Sequence, residues 1–440
     1  MTTLPRALSP LRHPAYRLLV ASMALSLLSS GLWIVAVVWQ VVALDGGPAE
    51  LSVVSALSAV GMLASTLLGG ALADRVPQRY LLLTVALVQT VSIALVAGLS
   101  LAGVLAVWQL AAVSLAGGLA AGLYYPAYSA LLPSLVPEGD LLAANGLEGV
   151  LRPVLMQAAG PAVAAALVTA YSPGAAMVAT ALAARGAAVC VAALPSTPLR
   201  RDPDHGAGLL ADVREGFGYL VRTPWLLATL LFASLMLLVM IGPFEVLVPF
   251  AIRDRAGGGP PEHAWVLAAF GIGGAVASLV VASFRLPRRY LTVMNLVWGG
   301  GCVPLVVFGF TSELWLMVVA AAVTGASFQV GMVIWGTLLQ RRVPPELLGR
   351  VSSLDFFVSL AFMPLSMALA GPVSELIGLT ATFLVAGLVP ALLAGIAIVA
   401  ARMPADEIAH PLDRAAADTP TDAPETLSAT AGSTPSEPGV

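Results

Sequence analysis

Arg75-Val-Pro-Gln-Arg-Tyr-Leu81 and Arg285-Leu-Pro-Arg-Arg-Tyr-Leu291 are two copies of one cationic stretch, 210 residues apart. Each interrupts a long apolar run. Two further landmarks repeat in the same order. Leu131-Leu132 and Val136-Pro137 return 207 residues later as Leu338-Leu339 and Val343-Pro344. Gly160-Pro161 returns 211 residues later as Gly371-Pro372. Three landmarks in one order at nearly one offset mark an internal duplication of the chain.

The composition says what kind of unit is duplicated. The chain has 440 residues, of which 59% are hydrophobic and 10% charged, and its mean hydropathy is +0.92. A soluble domain carries roughly 25% charged residues, so this chain cannot clothe a folded surface for water. A helix of ~20 apolar residues crosses the ~30 Å hydrocarbon core of a bilayer. Runs of that kind lie at about 16–43, 49–72, 80–103, 107–131, 145–169 and 173–194, then at 224–249, 264–284, 291–310, 314–339, 353–375 and 379–401. The expected fold is all-α and integral to the membrane: twelve transmembrane helices in two six-helix pseudo-symmetric bundles. Six spans per half make the repeat parallel, with its axis along the membrane normal and a substrate site between the halves. Residues 1–194 form the first bundle, 195–223 a cytoplasmic linker, 224–402 the second bundle and 403–440 a tail. The linker stretch Leu209–Arg222 is charged and helix-compatible. The tail is rich in Pro, Thr, Ser, Ala and acid, and is expected to be disordered. The run after Arg6 and Arg12 is too long for a signal-peptide core and is read as the first span.

All 21 basic residues are arginine. With the N-terminus inside, the inner segments hold Arg6, Arg12, Arg17, Arg75, Arg79, Arg200, Arg201, Arg214, Arg222, Arg285, Arg288, Arg289, Arg341, Arg342, Arg350, Arg402 and Arg414. The outer loops hold only Arg253 and Arg255. The positive-inside rule then puts both termini in the cytoplasm of a cell whose inner (plasma) membrane holds the protein. Cys190 and Cys302 lie in apolar runs and read as small buried hydrophobes. No phosphate-binding loop, zinc-hydrolase motif or nucleophile constellation occurs. His13, His205, His263 and His410 all fall in expected loops or tails. The sequence therefore implies no cofactor, no metal, no nucleic-acid partner and no enzyme.

Gly70-Ala-Leu-Ala-Asp-Arg-Val-Pro-Gln-Arg79 resembles the loop 2–3 signature of the major facilitator superfamily. Gly70, Leu72, Asp74, Arg75 and Arg79 match, Pro77 stands for the usual glycine and Gln78 for a basic residue. Tyr125 to Pro137, Asp212 to Leu220 and Gln340 to Leu354 are similar to the twelve-span drug:proton antiporter branch that includes siderophore exporters and macrolide efflux proteins. The resemblance covers residues 10–402. It implies the fold and efflux but no particular cargo; the expectation is a monomer that exports a small amphipathic molecule (a drug, antibiotic, siderophore or other metabolite) against protons, by alternating access.

Candidate site residues fall into four groups. The resemblance implies a conformational latch of Gly70, Asp74, Arg75 and Arg79, with Asp74 facing the positive N-terminus of the eleventh span near Ser352-Ser353; the competing reading is a solvated charge cluster that only fixes topology. Phe284 takes the aspartate's place in the second copy. Charges at membrane depth are costly and are candidates for proton or substrate coupling. These are Glu245, in a stretch where Gly242 and Pro243 suggest a break; Arg152, with Glu148 four residues before it on one helix face; and Arg185 in the sixth span. The competing readings are an interfacial Glu245 that snorkels outward or pairs with Arg253, and a Glu148–Arg152 pair that only helps to bury the arginine. The resemblance implies a cavity lined by spans 1, 4, 7 and 10. Ser26, Ser30, Trp33 and Gln40 share one face of the first; Ser114, Gly118, Ala121, Tyr125 and Tyr128 share one of the fourth; the tenth offers Gln329 and Trp335. Packing or interfacial placement is the competing reading of each aromatic residue. Gly160-Pro161 and Gly371-Pro372 resemble a reduced antiporter motif and are expected as helix breaks shaping a dry interface. Three functions stay open: proton-driven export; transport without proton coupling, including lipid-like cargo; and a membrane scaffold or sensor.

Overall fold

The computed structural model describes residues 6–73, 76–195, 217–284, 286–344, 347, 351, 354, 355, 357–359 and 361–412. Among the described residues, twelve helices are long and apolar enough to span a bilayer. Spans 1 to 6 are Pro14–Ala43, Pro48–Thr66, Gln78–Leu101, Val107–Ser129, Leu147–Ala170 and Pro173–Ala192. Spans 7 to 12 are Pro224–Ala256, Pro260–Val281, Tyr290–Phe310, Leu314–Arg342, Phe357–Ile377 and Leu379–Ala400. An even span count puts both chain ends on one face, here called the terminal face. The other is the opposite face.

The turns on the opposite face are short, and the side chains that start each helix are local. Glu50 accepts from the Gly47 amide at 2.8 Å, Gln109 from Ala106 at 2.8 Å and Glu262 from Gly259 at 2.7 Å. Each satisfies an amide that the first helical turn leaves free. Span 7 ends on Gly257 at φ 61°, a left-handed C-cap that favours glycine.

Lipid offers little drive for helices to associate, so spans meet where small residues let backbones touch. In the first half Gly61, Gly118 and Gly122 press span 2 against span 4; a Cβ on Gly61 would lie 2.8 Å from the Leu119 nitrogen. In the second half Gly273 and Gly325 do the same for spans 8 and 10. Gly31 packs on Gly160 between spans 1 and 5, while Gly242 packs on Ser366 between spans 7 and 11. The two halves thus repeat in packing as well as in sequence. The Gly-Pro elements differ, however. Gly160 closes a contact inside its own half, after a π-helical stretch Pro153–Ala159. Gly371 meets the other half: its amide donates to Ser52 Oγ at 2.7 Å, and a Cβ there would lie 2.5 Å from the Pro48 carbonyl.

The expected boundary of disorder at 403 needs correction. Met403–Ala409 is a helix that folds back on the ends of spans 9 and 10. Arg342, its side chain only 8% exposed, pairs with Asp406 at 2.6 Å and lies over the rings of Trp225 and Tyr290. Glu407 accepts from the Thr292 amide at 2.7 Å and hydroxyl at 3.0 Å. A nearly buried guanidinium requires an acidic partner, and this segment supplies it. Residues 413–440 of the tail and 196–216 of the linker lie outside the described residues; 217–222 is helical, and Leu220 is buried. Near the N-terminus, Asp140 accepts from Ser9 at 2.5 Å and faces His13 at 3.2 Å. These contacts, the Ser9 hydrogen bond first, hold its carboxyl below the usual aspartate range.

Candidate functional site

Span 7 is not a uniform helix. Between Pro224–Gly242 and Val248–Ala256 it winds as a π-helix over Pro243–Leu247. Pro243 cannot donate a backbone hydrogen bond, and the wide turn absorbs the defect. Phe244, Val246 and Leu247 stay buried, but Glu245 is open to a cavity between the halves. Its carboxylate has no hydrogen bond or ion pair among the described residues.

The cavity holds about 210 Å³. From the first half come Trp33, Val37, Leu51, Val54, Ser55, Ser58, Met62, Ser114, Gly118 and Ala121. From the second come Phe244, Glu245, His263, Leu267, Met363 and Met367. Phe244 is held by the ring of Phe270, with centroids 4.7 Å apart. A second cavity of about 190 Å³ shares Trp33, Ser58, Ser114 and Ala121 and runs into the first half past Ser29, Ser30, Gln89 and Ser92. Among the described residues, the two make an apolar and aromatic chamber with hydroxyls on one wall and one carboxylate and one imidazole, those of Glu245 and His263, on the other. That arrangement suits an amphipathic ligand.

The halves meet on the side of this chamber toward the opposite face. The Gly371–Ser52 bond lies within ~9 Å of the opposite-face ends of spans 2 and 11, at 1.5 Å per residue. Near mid-span, Gln157 of span 5 packs on Gly271 of span 8.

The other expected residues divide plainly. Ser30 and Trp33 line the chamber. Gln40 does not: it is buried and accepts from Ser100 Oγ at 2.7 Å, tying span 1 to span 3. Tyr128 stacks on Tyr124 at 5.9 Å in the core nearer the terminal face, and its hydroxyl is sealed with no hydrogen-bond partner among the described residues. Gln329 packs against Gly274. Trp335 donates to Asp355 at 2.9 Å and sits edge-on to Trp225. Burial raises the Asp355 carboxyl above the usual range. The side chain of Tyr125 lies outside the described residues.

Among the charges, Glu148 and Arg152 pair at 2.7 Å. Arg185 faces outward from span 6 beside exposed Leu182 and Val189, and lines neither cavity. Of the loop motif, Arg79 donates to the Ala192 carbonyl at 2.6 Å, bracing the C-terminal end of span 6 within its own half. The side chain of Gly70, the residues Asp74 and Arg75, and Ser352-Ser353 lie outside what is described.

One residue was misplaced by sequence. His263 is not in a loop: it sits in the first turn of span 8, 3% exposed, on the cavity wall. The signal was present. Pro260 and Pro261 followed by Glu262 read as a helix start, which moves the boundary upstream and carries His263 into the span. Ser55, Ser58 and Met62, spaced by three and four, mark the lining face of span 2 in the same way.

A family model described as transmembrane secretion effector matches residues 5–427. The multidrug efflux pump Tap of Mycolicibacterium fortuitum is 31% identical over 387 residues, 84% of this chain and 91% of the pump. Macrolide efflux protein A of Streptococcus pyogenes is 26% identical over 374 residues, 83% of this chain and 91% of that protein. Among solved structures, the nucleoside transporter NupG superposes with a TM-score of 0.70 at 13% identity, covering 90% of this chain and 99% of NupG. A bacterial homologue of the iron transporter ferroportin, in its inward-facing state, gives 0.64 at 16% identity, covering 88% of this chain and 98% of that one.

Proposed function

The chain belongs to the transmembrane secretion effector family of the major facilitator superfamily, and on that premise we propose that it exports small amphipathic compounds across the plasma membrane by proton antiport. It is a multi-pass membrane transporter and not an enzyme. The observation that carries the export reading further than family membership is Glu245. An unpaired carboxylate at membrane depth, on a cavity between two repeated halves, is the group on which a proton and a cationic substrate can compete. When the proton binds, the substrate's countercharge is gone; when the proton leaves, the site attracts the next cation.

The arginine bias supports a cytoplasmic terminal face. The Gly371–Ser52 lock then belongs to a state closed to the outside. Rocking of the halves would break that lock and close the terminal face, where Asp74 and the start of span 11 form the alternative latch. The monomer is the transporting unit in this scheme, because both walls of the chamber come from one chain.

The test is efflux of a panel of dyes and antibiotics from a pump-deficient bacterial host expressing wild type, Glu245→Gln or no transporter. Lower accumulation with wild type, abolished both by a protonophore and by Glu245→Gln, is the expected result. Export that survives both treatments overturns proton coupling through Glu245.

A further inference from the structure

Of the polar groups on the second-half wall of the chamber, Glu245 has an assigned task and His263 has none. Neither ring nitrogen of His263 has a hydrogen-bond partner among the described residues, and Nδ1 is sealed from solvent. Nε2 is therefore the nitrogen left with access to the cavity that the residue lines. A sealed lone pair is tolerated better than a sealed, unbonded N–H. Nδ1 is accordingly the bare nitrogen, and the proton sits on Nε2, where it is a donor facing the chamber.

The surroundings keep the ring neutral. An imidazolium would place a second N–H on sealed Nδ1 with nothing to accept it. Glu245, from span 7, shares the cavity but makes no ion pair with His263. The other charges nearby in the chain are occupied. Glu262 caps Gly259, Arg253 pairs with Asp254 at 2.6 Å, and Arg255 donates to Thr380 at 2.5 Å. The first-half wall contributes serines and apolar groups but no charge.

Among the described residues the chamber thus offers one carboxylate and the His263 N–H on its second-half wall, the Trp33 indole N–H and serine hydroxyls on its first-half wall, and an apolar body formed by Trp33, Phe244, Met62 and Met367. Resting on the cationic-cargo reading above, we propose that His263 is a second recognition group of this cavity. With Glu245 it selects amphipathic amines that also carry a hydrogen-bond-accepting oxygen. The ammonium meets Glu245, the oxygen accepts from His263 Nε2, and the apolar body lies against the aromatic and methionine wall. Binding of such a ligand satisfies a donor that the empty site leaves unmet, which is how a polar group in a dry pocket discriminates between otherwise equal ligands.

The experiment is equilibrium binding to the purified full-length protein. The probes are a fluorescent naphthyl ketone bearing a dimethylammonium group and its deoxo analogue, in which a methylene replaces the carbonyl. Wild type is expected to bind the ketone about fivefold more tightly, the worth of one net hydrogen bond. His263→Phe, shown to be folded by a cooperative thermal unfolding transition, should erase that preference. His263→Gln, which restores an N–H, should recover part of it. Glu245→Gln should weaken both amines alike. Equal affinity of wild type for the two probes overturns the role of His263 and leaves the cationic cavity standing, as does a ketone preference that survives His263→Phe. Failure of wild type to bind either amine removes the cationic-cargo reading and this inference with it.

Discussion

Replacing Gly371 by alanine tests the alternating-access scheme at the contact that closes one side of the chamber. The added Cβ would lie 2.5 Å from the Pro48 carbonyl oxygen and 2.7 Å from the Ala49 nitrogen and Cα. All three are backbone atoms of span 2, so no side chain can swing aside. Relief requires spans 2 and 11 to part, and parting also strains the bond from the Gly371 amide to Ser52 Oγ. Forcing a methyl into a packed contact costs about 1–3 kcal/mol. The cost falls on the state closed at the opposite face, because the contact is lost once the halves separate there. The balance should move about 5- to 150-fold toward the other state. The assay is a pulsed electron-spin distance measurement between labels at Asp45, in the span 1–2 turn, and Leu376, exposed near the end of span 11. Cys190 and Cys302 would first be replaced by alanine. Gly371→Ala should enlarge the long-distance population and slow transport, which needs both states. An unchanged distance distribution with normal transport would refute the lock.

Two other perturbations have defined outcomes. Arg342→Met removes the arginine from the partly buried Asp406 and leaves the Met403–Ala409 helix held by its Glu407 and His410 contacts; breaking a pair of this burial costs about 3 kcal/mol. Thermal unfolding in detergent should come at lower temperature, and protease should cut sooner between spans 12 and the chain end; an unchanged melting temperature would show that the pair contributes no stability. Asp74→Asn removes the charge of the proposed inner latch, so transport should be lost while membrane insertion and expression persist, and normal transport by that variant would sink the latch.

Much of this was legible in the chain itself. Apolar runs have the length of a bilayer, and the backbone in lipid must bond to itself, so twelve spans are legible in the sequence, although span 7 runs on to Ala256 rather than 249 and span 8 begins at Pro260 rather than 264. The offset near 210 exposed the duplication, and the glycine contacts Gly31–Gly160 and Gly242–Ser366 repeat it in space. Glu245 stood out because a charge at membrane depth needs a reason, and the Gly242-Pro243 pair marked the helix defect that turns it inward. The Glu148–Arg152 pair followed from helical spacing alone.

Helical spacing shows which residues share a face, but not which way the face turns. Ser30, Trp33 and Gln40 were grouped on one side of span 1, yet only the first two reach the chamber. Gln40 lies a further two turns along, where span 3 and Ser100 cover that side. Trp335 has the look of a ligand-stacking residue and is committed instead to Asp355 and its aromatic neighbours. Arg185 turns outward, a matter of helix rotation that span 6, alanine-rich all round, does not encode in any stripe. His263 required knowing that span 8 begins at its prolines and that its first turn meets span 7. Sequence thus determined how many helices cross the membrane and that the halves are copies, because hydropathy and backbone hydrogen bonding act locally. Tertiary packing alone decided which polar groups share a cavity, because that depends on how each helix is rotated by neighbours hundreds of residues away.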